Sequence, residues 1–453
     1  MDVNDDIKGI LEGIAEKSSI RIELRYCHRN MLTLQLVNDS LESDLSSHEG
    51  VGVRVLVDGS LGFSSSNEVT PHHIEEAVKR AVKASRAVRN DTILQETELA
   101  CGTFCVDETD PVKTHDIEEK VHLVNDSQKL LEHPHMKVKV CGYSEICDHK
   151  FIVTSDGGRA EIIDNKLEFS LSAYIDDVQG KASCGATGGW GDLFAKETPE
   201  DLAAKAVKKA DQLSKARYCK AGKYTVIMDP GLVGLMAHEA VGHLCEADYV
   251  LGGAVTKDML NAQVASPLVT ITDTGVTYPH ACGTTLVDDE GVPARDIHLI
   301  KKGVLTGFLH NRKTASIYGV EPTGNARAFE FDCEPMIRMR NTIVESGAWT
   351  LEEMLEDLTG YLLVGSGEGE SDTSGTFMFQ VKEVYPVHKG EIGDPQRGAS
   401  IAGNAFEVLH SVDAVAKEVA CALPSLYCWK GQIARVDGGG PYVRCTAQMG
   451  GRS

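Results

Sequence analysis

No run of about 18 uninterrupted apolar residues occurs anywhere in the 453-residue chain, so no membrane-crossing helix is expected. Positive charge is also scarce: 45 Lys and Arg stand against 67 Asp and Glu, a net charge of −22. That balance argues against sequence-independent binding to nucleic acid or to an anionic membrane, both of which need a basic surface. The acidic residues are dispersed, and short runs such as Asp288 to Glu290 read as solvated surface. Paired cysteine spacings are missing as well. The thirteen cysteines are an odd number scattered along the chain, which points to reduced, mostly buried thiols and not to a disulfide framework. There is no internal repeat or low-complexity segment, and Met1 to Asp6 lack the basic-then-apolar order of a signal peptide. A cytoplasmic protein is expected.

What the chain does contain is a metal-binding signature with an unusual spacing. Residues 238–243 read His-Glu-Ala-Val-Gly-His. The common zinc-protease pattern puts its histidines at i and i+4, one helical turn apart, with a glutamate beside the first. His238 and His243 stand at i and i+5, which on a regular α-helix leaves them roughly 140° apart in azimuth. Both reach one ion only if the helix is locally widened, as in a single-turn π-bulge. Gly242, just before the second histidine, is the residue type most tolerant of such distortion. Two histidines and a glutamate also fit a plain helix face, and sixteen histidines make chance pairs common. The flanks favour the site. A strand-like run from Lys223 stops at a turn at Asp229 and Pro230, and the apolar stretch Gly231 to Ala237 carries the motif into the interior. A buried Glu239 is costly there unless a cation pairs with it.

Residues 5–17 read as a short amphipathic helix, and Ile20 to Leu36 alternates like a strand. Gly50 to Phe63 reads as a hairpin turned at Asp58 and Gly59. Pro71 to Arg89 has apolar residues at helical spacing behind a Thr70 cap. Another helix is expected over 110–133, strands over 136–145, 150–155, 159–163 and 167–176, and a helix from Pro199 to Arg217. Near residue 220 the pattern changes to short β-like runs and glycine turns, broken by the motif helix and by a helix at Val412 to Ala420. The expected fold is α+β in two domains. Residues 1–217 form an N-terminal α/β domain with an antiparallel sheet; residues 218–453 form a mainly antiparallel β domain holding the motif helix.

A catalytic zinc takes three protein ligands and keeps a position for water, so the histidines leave one place to fill. Cys245, Glu246 and Asp248 are near in sequence. Cys245 points away from His243 on a continuing helix; Glu246 shares its face and could ligate, or hydrogen-bond a ligand from behind. Cys282, Cys333, Cys421, Cys428 and Cys445 are distant candidates. Cys428 has the most loop-like setting, in Tyr-Cys-Trp-Lys-Gly-Gln at 427–432, whereas Cys421 sits in an apolar helical run.

The motif has company. Met236 to Asp248, Val287 to Pro293, Thr323 to Arg327, Thr373 to Gln380, Ile401 to Asn404 and a Cys-x-Lys pattern at 428–430 follow in order. This ordered set resembles the TldD/PmbA family of bacterial and archaeal metalloproteases. The likeness is to the metal-bearing TldD branch, not to the PmbA (TldE) branch, which generally lacks the metal motif. It covers most of the chain and is more specific in the C-terminal half. The resemblance implies that His238, His243 and Cys428 hold Zn²⁺, with Cys445 the other candidate for the third place. It also implies hydrolysis of unfolded or extended peptides, with a TldE/PmbA-like partner subunit or as a homodimer. Zinc would polarise the carbonyl and lower the pKa of its water; Glu239 would act as general base and hand the proton to the leaving amine. Arg327, His280 and Tyr385 are candidates to stabilise the oxyanion. Gly375 to Lys382 is a candidate edge strand for adding an extended peptide, with a core strand the plainer alternative.

Two other classes fit the same residues. A zinc hydrolase acting on an amide in a small molecule is separated by a substrate panel. A non-catalytic assembly subunit with a structural metal needs four protein ligands and leaves Glu239 without a role. A dipeptidyl-peptidase pattern with the same hexapeptide calls for a second helix bearing a glutamate ligand, which Glu352, Glu353, Glu368 and Glu370 match imperfectly.

Overall fold

The N-terminal sheet is built from strands longer than the sequence pattern suggests. This computed structural model describes residues 5–87, 90–424 and 426–451, with Glu368 described by its backbone only. The chain opens with the helix Asp5–Lys17, as expected; residues 1–4, where the signal-peptide reading begins, lie outside the described residues. Strands β1 (Arg21–Val37), β2 (Ser40–Val57) and β3 (Ser60–Ser66) form an antiparallel meander. Its second turn falls at Asp58 and Gly59, with φ of 47° and 74°, matching the positive φ that a type I′ hairpin turn demands. β4 (Cys101–Cys105), β5 (Met136–Thr154), β6 (Arg159–Ile175) and β7 (Val178–Thr187) complete a seven-stranded sheet. The order is β3-β2-β1-β5-β6-β4, with β7 paired along the other half of β6. Thus 136–145 and 150–155 are one strand, and 159–163 and 167–176 are another. The polar residues between the expected pieces stay in register, with Asp148 opposite Asp164. They do so because each finds a counter-charge: Asp148 with Arg29 at 2.6 Å and Lys166 with Asp164 at 3.0 Å.

Helices Pro71–Ser85, Ile117–Lys129 and Pro199–Ser214 pack against these strands, capped by Thr70, Asp116 and Thr198. Each is shorter than its periodicity suggests. Arg89, the expected end of the first, lies outside the described residues, and a separate 3₁₀ turn, Val112–Thr114, precedes the second. Ile74, Ala77 and Ala81 share a core with Leu11 and Ala15; Leu202, Ala206 and Ala210 share another with Phe169 and Leu171.

Beyond residue 217 the chain is mainly antiparallel β. Gly222–Met228, Val443–Gly450, Ala399–Asn404, Thr376–His388 and Thr359–Ser371 pair in succession, and the last closes onto the first. The strand Thr376–His388 is therefore paired on both sides, so Gly375 to Lys382 offers no edge. A six-stranded sheet includes Ile271–Thr274, Asn341–Val344 and Asp437–Gly440. The motif helix touches both this sheet and the closed ring, which explains its burial. Val412 to Ala420 is not helical. The helix is Ala405–His410, and Ala414–Val415 pair instead with Val443–Gly450. Strand pairing there outweighs helical spacing.

The run Asp288 to Glu290 is buried, contrary to the solvated reading. Asp288 accepts from the backbone N–H of Glu290, Val292 and Ala326. Asp289 pairs with Lys150 at 3.0 Å, and Glu290 with Arg54 at 2.6 Å. The counter-charges come from the N-terminal sheet, so these acids join it to the C-terminal half. No helix among the described residues is long and apolar enough to cross a membrane.

Candidate metal centre

Asp229 caps the motif helix by accepting from Leu232 N at 2.9 Å, with Pro230 in its first turn. The helix is α over Pro230–Leu235, widens to π over Met236–Gly242, and tightens to 3₁₀ over His243–Cys245. This is the widening that an i, i+5 pair requires, and it brings the two imidazole centroids to 5.2 Å. Gly242 serves a different purpose from the one expected. Its φ of −56° and ψ of −51° are ordinary helical values. A Cβ there would lie 2.0 Å from Met339 Sδ, so glycine is needed for close packing and not for conformational freedom.

Cys428 arrives on the hairpin of Tyr427–Trp429 with Ile433–Arg435. Its Sγ lies 3.2 Å from His243 Nε2. His238, His243 and Cys428 each offer one ligand atom, all within 4.8 Å of one another. The fit to a metal rests on two observations. His238 is fully buried, yet neither of its ring nitrogens has a hydrogen-bond partner among the described residues, a costly arrangement unless something else binds there. Burial alone would push the Cys428 thiol up, but the flanking His238 and His243 pull it down to about 4, so a thiolate faces the histidines. Among described cysteines with a resolved shift, every other one is raised, chiefly by burial; Cys445 goes up to about 12. Cys245, Cys282, Cys333, Cys421 and Cys445 are not brought into the cluster.

Glu239, on the turn between the histidines, places Oε2 3.8 Å from His243 Nε2. Ser371 Oγ donates to its backbone carbonyl at 2.6 Å. Glu246 stands behind the cluster, its Oε2 3.0 Å from His243 Nδ1. Burial works against its charge, but His243 and Lys430 hold its carboxyl below the usual range. Lys430, the last residue of the Cys-x-Lys pattern, sits in the turn just after the strand Tyr427–Trp429. Its Nζ reaches Glu246 at 3.1 Å and Asp248 at 2.8 Å, and lies 4.3 Å from the Tyr249 ring centre. Asp248 is thereby engaged as an ion-pair partner.

Each of the three oxyanion candidates has hydrogen-bond partners of its own. Arg327 donates to the carbonyls of Met339 and Arg435, His280 faces the Thr187 carbonyl, and the Tyr385 hydroxyl donates to Glu383. Glu352 and Glu353 sit on the helix Leu351–Glu356, which starts with a Thr350 capping box. Glu370 lies in the strand Thr359–Ser371, and the Glu368 side chain is outside the described residues. None joins the histidine and cysteine cluster among the described residues.

Three family models match the chain in sequence: PmbA/TldA metallopeptidase domain 1 over residues 22–85, the central domain over 110–213, and the C-terminal domain over 221–451. A metalloprotease of Methanocaldococcus jannaschii is 34% identical, covering 98% of this chain and 99% of its own. A protein of Saccharolobus solfataricus named zinc metalloprotease TldD homolog is 30% identical over 87% of this chain and 88% of its own. The crystal structure of TldE from Thermococcus kodakarensis is similar with a TM-score of 0.74 at 19% identity, covering 98% of this chain and 99% of that one, a likeness of fold alone. With two histidines of its buried helix and Cys428 of a hairpin placed where they could hold a metal ion, and with matches across nearly its whole length, this chain belongs to the PmbA/TldD family of metallopeptidases.

Proposed function

We propose that the chain is a zinc peptidase of the TldD kind, with His238, His243 and Cys428 as ligands and Glu239 as general base. The observation that carries this reading is the convergence of three ligand atoms within 4.8 Å on a π-widened helix turn that also bears Glu239. Bound zinc supplies a Lewis acid for a peptide carbonyl and a water of lowered pKa. Glu239 takes a proton from the attacking water and returns it to the leaving amine. Cys428 contributes a negative charge that leaves the metal a weaker Lewis acid than three histidines would. The substrates are unfolded or extended peptides, and the active form pairs with a TldE/PmbA-like subunit or with a second copy. The chain works in the cytoplasm, where its thirteen free cysteines stay reduced. A boundary near residues 217–222 separates an N-terminal domain from the one that holds the metal.

The test is peptide cleavage by zinc-loaded wild type and Glu239→Gln, alone and with a TldE-like partner. Loss of about 10²–10⁴-fold in rate with zinc retained supports the role. A zinc-loaded variant that cleaves at the wild-type rate removes it.

A further inference from the structure

Behind the Cys428 hairpin, between the N-terminal sheet and the C-terminal half, lies a largely enclosed cavity of about 70 Å³. Six cationic side chains line it: Arg29, Lys150, Lys166, Arg327, Arg338 and Arg435. Four are neutralised. Arg29 pairs with Asp148, Lys150 with Asp289, Lys166 with Asp164, and Arg435 with Glu168, at 2.6 to 3.0 Å. Arg327 and Arg338 have no carboxylate in ion-pair contact among the described residues. They donate only to carbonyls: Arg327 to Met339 and Arg435, Arg338 to Cys428 and Gln432.

Two neighbouring guanidinium groups are thus held in the interior without an ion pair among the described residues, an arrangement that is costly unless compensated. Arg338 is 1% exposed, and its Nε, like Arg29 Nη1, is buried without an acceptor among the described residues. Burial, and then the charge of Arg338, lowers the Arg327 guanidinium to about 10. In a chain of net charge −22, such a surplus of buried positive charge is local and specific. The cavity exceeds the roughly 10–15 Å³ needed for one water and suits several waters or one small ion. Guanidinium forks match oxyanions with two parallel hydrogen bonds.

We propose that this cavity is a binding site for one small oxyanion (phosphate, sulfate or a carboxylate), held by Arg327 and Arg338. The site is separate from the metal centre, yet shares Arg338 with the hairpin that presents Cys428. The bound anion neutralises the two guanidinium groups and leaves the metal ligands untouched.

Titration calorimetry of the full chain with sulfate, phosphate and acetate, at ionic strength fixed with chloride, tests this. Wild type should bind one anion per chain saturably. Preference for acetate over sulfate and phosphate assigns the site to carboxylates, and the reverse to tetrahedral oxyanions. Arg327→Gln should weaken binding at least about ten-fold. Ala328→Val, which crowds the cavity wall without removing charge, should weaken it too, and His238→Ala should not. The fold of each variant is checked by circular dichroism. No saturable binding to wild type overturns the proposal, as does wild-type affinity in folded Arg327→Gln or loss of binding in His238→Ala. If Arg327→Gln and Ala328→Val both fail to fold, anomalous scattering from selenate-soaked wild-type crystals decides. A peak between Arg327 and Arg338 supports the site, and a cavity without one refutes it.

Discussion

Glu246 Oε2 lies 3.0 Å from Nδ1 of His243, while Nε2 of the same ring stands 3.2 Å from Cys428 Sγ. The carboxylate thus fixes which nitrogen of His243 faces the ligand cluster, and Lys430 holds that carboxylate in turn. Outer carboxylates of this kind orient imidazole ligands and raise their basicity.

Glu246→Gln should therefore weaken zinc binding by about 10–100-fold without unfolding the chain, as measured by competition with a chromophoric chelator. Unchanged affinity would take Glu246 out of this role.

Gly242→Ala should destabilise the protein by about 1–3 kcal/mol through overpacking, because the new methyl group collides with Met339. If packing is the reason, Met339→Ala combined with Gly242→Ala should cost clearly less than the two single changes summed, in thermal unfolding. Additive costs point to the helix backbone instead.

Arg54 lies between Glu23 and Glu290, at 2.6 Å from each. Arg54→Met leaves two buried carboxylates facing each other, at a cost of about 3–5 kcal/mol, read as a lower urea midpoint. Adding Glu290→Gln should recover part of it. Equal midpoints for wild type and Arg54→Met would mean that this junction contributes nothing to stability.

His310 is buried beside Phe308 and Tyr318, and burial lowers its pKa from 6.5 to about 4. Between those values the unfolded chain binds a proton that the folded chain does not. Its contribution is therefore intact above pH 6.5 and falls away as pH drops toward 4, by up to about 1.4 kcal/mol per pH unit. His310→Asn should flatten the pH dependence of unfolding in that window. An unaltered slope would show that His310 is not its source.

The caps and the motif were the most legible parts of the chain. Thr70, Asp58 with Gly59, and the i, i+5 histidines each act within a few residues, where backbone geometry alone sets the outcome. The strands run longer than the apolar pattern suggests where charges interrupt it: Asp148 finds Arg29 on a neighbouring strand, and Lys166 finds Asp164 two residues back and Thr187 on the next strand. The helical spacing of Val412 to Ala420 gave way to pairing with Val443–Gly450, a contact that no local window contains.

The hexapeptide demanded a widened helix without help from any other residue, because azimuth on a helix depends only on spacing. It offered two candidate ligands and a candidate base. The residue pattern alone left several cysteines open and the family resemblance implied Cys428; the folded chain brings Cys428 up, 185 residues after His243, on a hairpin, while Cys445 lies in the core. The same holds for Asp288 to Glu290, surface-like in sequence but interior once Lys150 and Arg54 arrive from another sheet. Burying a charge is costly unless counter-charges or hydrogen bonds compensate it, and where those partners lie is a property of the folded chain.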